Sequence, residues 1–210
     1  FGGFRIGDTD LLHAGLGDLL GEGVHAALGG ETYDLHAVRA VPGHGGGEVK
    51  AAVLFGQREV RVEDLPTPVP GPDEALVRIT MSAVCGSDLP HYRSTPDALG
   101  RRAEIVPGHE PVGVVHRGVA GGVPAGTRVM VYHHSGEGRC AHCVAGEPMF
   151  CSHRQTLGNH RHGADAQWLV APDASLVPLP DDIDDAMAAL VACNFGTAIA
   201  GLRKSGARAG

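Results

Sequence analysis

Five cysteines and thirteen histidines are the residues of this chain best suited to metal or nucleophilic chemistry. The cysteines fall at Cys85, Cys140, Cys143, Cys151 and Cys193, an odd number at uneven spacing. Such a set suits metal ligation or catalysis better than a disulfide framework. Any one cysteine alone is equally well explained as a small buried hydrophobe. Cys140, Cys143 and Cys151 resist that account, because they crowd a polar, glycine-bearing loop that buries little. Two thiolates three residues apart can grip one tetrahedral ion from a tight turn, and a third arrives after a short loop. Counting back from Cys140 by the same interval reaches Glu137, which completes the pattern Glu137-x2-Cys140-x2-Cys143-x7-Cys151. A carboxylate can bind zinc, so Glu137 is the expected fourth ligand, with His142, His133 or His134 as substitutes.

A second set is dispersed along the chain. Cys85-Gly86-Ser87-Asp88 follows a strand-like segment, Gly108-His109-Glu110 precedes another, and Cys193 ends an apolar helical run. Thiolate, imidazole and thiolate with one open position is the ligand set of a catalytic zinc.

The elements that must hold these groups are mostly strands. Gly and Pro account for 46 of 210 residues, about twice the usual share, which favours a turn-rich β fold over a helical bundle. Val49–Phe55 and Val60–Val62 have strand composition around a polar turn, and Ala75–Val84 alternates as a half-buried strand does. Val112–Val115, Arg128–Tyr132, Gln167–Ala171 and Leu176–Leu179 are further short strands, and 65–72, with four prolines, is an extended crossing. Strands of this length and spacing predict a closed or partly closed barrel. Helices are expected only at the end, from the acidic start at 181–185 through Ala186–Ala192, and again over Thr197–Arg203. Residues 1–48 differ from the rest: thirteen are Gly, and Leu11–Leu28 carries only a weak helical stripe.

A net charge of -7 with no basic run argues against nucleic acid and anionic membrane as partners. No apolar stretch approaches the ~20 residues of a membrane span, and no secretory signal opens the chain. A soluble, cytoplasmic protein is expected.

From Val49 onward, the order and spacing of Cys-Gly-Ser-Asp at 85–88, Gly-His-Glu at 108–110, the cysteine loop 140–151 and Cys193 resemble the zinc-containing medium-chain alcohol dehydrogenases. The likeness is to their GroES-like catalytic domain, a partly open β-barrel with short C-terminal helices. It implies a leader over 1–48, a catalytic domain over 49–195, and at 196–210 a helix that leads toward a Rossmann domain absent from this chain. Val49 would be the natural start, with the preceding stretch an upstream read-through.

The resemblance implies that Cys85, His109 and Cys193 hold the catalytic zinc, with Glu110 beside it. Glu137, Cys140, Cys143 and Cys151 would hold a structural zinc. Ser87 would accept the alcohol proton, Asp88 would orient a ligand imidazole, and Thr197 would lie near the nicotinamide of NAD or NADP. The family's relay histidine falls at Pro90 here, so His91, one step later, is its candidate replacement. The implied activity is oxidation of a small alcohol or polyol, in a homo-oligomer when full length, and this chain alone is expected to be inactive. Two other readings stay open: a zinc-free quinone or enone reductase on the same fold, and a non-catalytic metal-binding barrel fragment. No G-x-G-x-x-G follows a strand in the sequence.

Overall fold

The computed structural model describes residues 47–100 and 105–207, together with the backbone of two leader strands. Those two are β1 (His25–Ala27) and β2 (Asp34–Leu35). The helical stripe expected over 11–28 lies outside the described residues except at its end, where β1 is extended instead. The glycines at 15, 17, 21 and 23 are the reason that stripe was weak.

β3 (Glu48–Gly56) and β4 (Glu59–Pro66) form an antiparallel hairpin, with β2 parallel to β4 at its edge. Both turn residues, Gln57 and Arg58, take positive φ, as a two-residue hairpin turn requires. Neither is glycine. Their amides donate instead to the carbonyls of Ser94 and Tyr92, at 2.6 and 2.9 Å, which docks the turn on α1 (Leu89–Arg93). β4 runs four residues beyond the expected Val60–Val62, to Pro66, and so takes in the first two residues of the proline crossing.

The larger sheet centres on β5 (Glu74–Ala83), which pairs antiparallel with β6 (Glu110–Arg117) and β10 (Trp168–Pro172), and parallel with β1. β7 (Arg128–Val131) and β11 (Leu176–Pro178) extend it beyond β6. Alternation puts Ala75, Val77 and Ile79 on one face, packed with Val115, Val129, Val131, Leu169 and Leu176. Two register shifts in the β5–β6 pair curl the sheet. Ala52 then donates to the Asp165 carbonyl at 2.6 Å, and Gln167 to that of Lys50 at 2.9 Å, which ties β3 to the run before β10. The result is the expected mostly-β architecture, a curled half-barrel with short helices.

Two small elements escaped prediction, β8 (His134–Ser135) and β9 (Gln155–Thr156), each of two residues. So did α1, of five residues, and α2 (Pro96–Leu99) and α3 (Ala141–Val144), of four residues each. α4 (Asp185–Leu190) starts where the acidic cluster predicted: the Asp184 side chain accepts from Met187 N at 2.7 Å. Ala188 and Ala189 pack on Ala83 and Val112. A π-turn (Val191–Phe195) follows, then α5 (Gly196–Ser205). These three pieces form one 21-residue helical run containing an 18-residue window of mean hydropathy 1.4, long and apolar enough by length and composition to cross a membrane, contrary to the sequence expectation. Within this run α4 packs on the sheet through Ala188 and Ala189, and Arg203 and Lys204 close α5.

Candidate metal centre

Three elements bring four donors together. Cys85 lies just past β5, where the chain turns into a short 3-10 segment, Gly86–Asp88. The Asp88 carboxylate accepts from Cys85 N at 3.0 Å, and Asp88 N donates to the Cys85 carbonyl at 2.9 Å, so this turn fixes the cysteine backbone. His109 precedes β6 and Glu110 opens it. Gly108, at φ +94°, lets the chain swing into that strand against Asp165. Cys193 sits inside the π-turn. One donor atom from each of Cys85, His109, Glu110 and Cys193 lies within 4.8 Å of the others.

The electrostatics of this cluster follow from its geometry. Hydrogen bonds from Cys193 and from His109 hold the Cys85 thiol down to about 2, as a thiolate. Burial opposes charge on His109, but Asp88 and the Cys85 thiolate outweigh it and raise the imidazole to about 10. Its Nδ1 stands 3.3 Å from Asp88 Oδ1, and its Nε2 3.4 Å from Ser87 Oγ. Sharing a proton with Cys85, together with burial, pushes the Cys193 thiol up. Burial and then the Cys85 charge raise Glu110 to about 7. Glu110 is fully buried; its Oε1 accepts from Asn194 Nδ2 at 2.8 Å, and its Oε2 has no hydrogen-bond partner.

Other polar groups crowd the same region. The His133 ring stands edge-on to His109, with centroids 5.3 Å apart, and tilts against His134 at 4.1 Å. Burial and its charged neighbours push His133 down to about 4, and its Nδ1 is buried without a partner. Beneath the Gly108 turn, Asp165 accepts from Ser82 Oγ at 2.7 Å, and burial lifts its carboxyl to about 6.

The cysteine loop forms a separate lobe. Donor atoms of Cys140, Cys143 and Cys151 lie within 4.8 Å of one another, with 3.5 Å between the first two sulfurs. Glu137 is set to one side. It groups with Cys151 and His153 rather than with all three thiols, and its oxygens face Arg139 Nε at 3.1 Å and His153 Nδ1 at 3.6 Å. The three substitutes suggested for it are elsewhere. His142 turns toward Glu147, while His133 packs against His109 of the first cluster and His134 against His133. His153 was missed, although it follows Cys151 by only two residues.

The remaining candidates are Ser87, His91 and Thr197. His91 lies in α1, outside the clustered donor groups, and Thr197 in the exposed first turn of α5. Ser87 is exposed beside His109. Asn194 and Asp165 escaped the sequence reading, Asn194 because its role depends on the π-turn, Asp165 because it sits in a run of no evident chemistry.

The profile of the alcohol dehydrogenase GroES-like domain matches residues 71–181. YphC of Escherichia coli K12, a zinc-type alcohol dehydrogenase-like protein, is 34% identical over 166 residues, covering 72% of this chain and 46% of that protein. The crystal structure of an NAD-dependent alcohol dehydrogenase superposes with a TM-score of 0.66 at 34% identity, over 78% of this chain and 48% of that one. A cobalt- and zinc-bound thermostable alcohol dehydrogenase from Pyrobaculum aerophilum gives a TM-score of 0.60 at 28% identity, over 69% of this chain and 45% of that one. The chain spans about half the length of the relatives it matches. With the curled half-barrel, the converging donors and the matched profile together, the chain belongs to the alcohol dehydrogenase GroES-like domain family.

Proposed function

We propose that this chain is the catalytic part of a zinc-dependent, NAD(P)-linked dehydrogenase acting on a small alcohol or polyol. The convergence of Cys85, His109, Glu110 and Cys193 within 4.8 Å carries the reading. The donor set fits zinc: two thiols, one imidazole and one carboxylate, with a buried Glu110 oxygen that no protein group satisfies. Cys85, His109 and Cys193 would hold the ion, with Glu110 beside it. Bound there, zinc supplies a Lewis acid that polarises an alcohol oxygen and so favours hydride loss to a nicotinamide ring.

The chain's own groups prepare that chemistry. Asp88 receives both the Cys85 amide and the Nδ1 side of His109, which leaves Nε2 directed toward Ser87 and the cluster. Ser87 Oγ, 3.4 Å from His109 Nε2, is the proposed acceptor of the alcohol proton. It is exposed, so with Pro90 at the usual relay position the proton can pass from Ser87 Oγ to water. Thr197, on the exposed start of α5, is the proposed nicotinamide contact, and His91 the proposed alternative relay. The fourth ligand of the lobe is proposed to be Glu137, reached by a rotation away from Arg139. A zinc-free reductase would have no use for a thiolate–imidazole set of this kind.

The test is oxidation of 2-propanol, 1,2-propanediol and sorbitol with NAD+ or NADP+, in the protein that carries this chain together with its nucleotide-binding unit. Lewis-acid polarisation contributes several kcal/mol, so Cys85→Ala and His109→Ala should each lower the rate at least about a thousandfold. Retained oxidation in either variant would overturn the reading.

A further inference from the structure

We infer that Asn194 is a positioning residue for the metal centre, acting through Glu110. The inference rests on the proposed reading of the cluster as a metal site and adds a residue to it. Glu110 has two oxygens in different circumstances: Oε1 accepts from Asn194 Nδ2 at 2.8 Å, and Oε2 is buried with no donor. A carboxylate gripped at one oxygen cannot spin freely about its last bond, so the grip decides which oxygen is left to serve a cation. Asn194 is suited to this because only the amide N–H2 can face a carboxylate oxygen, and the side chain carries no charge that would repel the ion.

The backbone explains how two neighbouring residues serve one site. Cys193 contributes a donor to the cluster, and Asn194, the next residue, reaches Glu110 in the same cluster. Both lie in the π-turn Val191–Phe195, where the wider turn replaces regular α-helical spacing between α4 and α5. Asn194 is itself exposed, whereas Glu110 is fully buried, so the amide reaches inward from the rim to one oxygen of the carboxylate.

Partners that orient a metal ligand typically govern 10- to 100-fold of metal affinity, so Asn194→Leu should weaken binding at this centre about tenfold. Cadmium NMR of the metal-loaded protein separates the two sites, because the line position reports the number of thiolate donors. A two-thiolate line belongs to the Cys85–Cys193 centre and a three-thiolate line to the lobe. Asn194→Leu should shift the two-thiolate line and leave the three-thiolate line in place, which also shows that the fold is intact. On a Glu110→Gln background the same substitution should add no further shift or loss of affinity. A two-thiolate line unmoved by Asn194→Leu, or an effect of equal size on the Glu110→Gln background, would overturn the inference. If wild-type protein gives no two-thiolate line at all, the metal-centre reading itself fails, and the inference with it.

Discussion

Replacing Cys85 or His109 by alanine is expected to leave the chain folded with one fewer equivalent of bound zinc. Substitution of a partner that merely orients a ligand costs 10- to 100-fold in affinity, so removal of a donor itself should cost at least about a hundredfold. The loss should be confined to one site, because the thiols of the lobe form a separate group from Cys85, His109, Glu110 and Cys193. The charge pattern also predicts how the ion enters. Cys85 already sits as a thiolate, whereas His109 is raised to about 10 and Cys193 is pushed up, so binding must displace protons from those two. Cys85→Ala removes both the thiolate and the charge that helps keep His109 protonated. Elemental analysis after dialysis against a weak chelator checks this prediction. Zinc content equal to wild type in both variants would refute the ligand roles.

The second large effect is expected from a residue that never touches a metal. Gly108→Ala should destabilise the fold and empty the same site. The backbone there, at φ +94°, costs a side-chain-bearing residue about 1–2 kcal/mol. A new Cβ would also meet Asp165 N at 2.6 Å. That neighbour cannot retreat easily, since Asp165 N donates to the Pro107 carbonyl at 3.0 Å and the Asp165 carbonyl accepts from Ala52 N at 2.6 Å. Overpacking of this kind typically adds 1–3 kcal/mol, for a combined loss of about 3 kcal/mol. In a chain of this size each kcal/mol lowers Tm by about 2–4 °C, so a fall of about 6–12 °C is expected. Gly121→Ala separates strain from collision. Gly121 also has positive φ, at +78°, but its Cβ would enter open space, so only the backbone cost, about 2–8 °C, should be lost and zinc retained. Equal melting shifts in the two variants would contradict the collision argument.

The scaffold was readable because barrel strands advertise themselves by alternation. Ala75, Val77 and Ile79 are buried as their spacing required, and the acidic start at Asp184 caps α4 through its side chain. The donors were readable for a different reason. Cys85 and His109-Glu110 sit at strand boundaries, where a turn can aim a side chain without disturbing the ladder. What stayed hidden depends on pairings no local pattern announces. β8 and β9 have two residues each, too few to alternate, yet their pairing holds His134 against His133, whose ring in turn meets His109. The π-turn that lets Cys193 and Asn194 serve one site replaces regular α-helical spacing, so helical periodicity could not reveal it. Asp165 looked like one polar residue in a connecting run, and only the fold puts it under Gly108 beside Ser82.

Anomalous diffraction from crystals of the chain grown with zinc, measured on either side of the zinc absorption edge, tests the central claim most directly. The account predicts a peak among the Cys85 and Cys193 sulfurs, the His109 imidazole and the Glu110 carboxylate. No peak there in zinc-grown crystals, or a peak in the cysteine lobe alone, would contradict it.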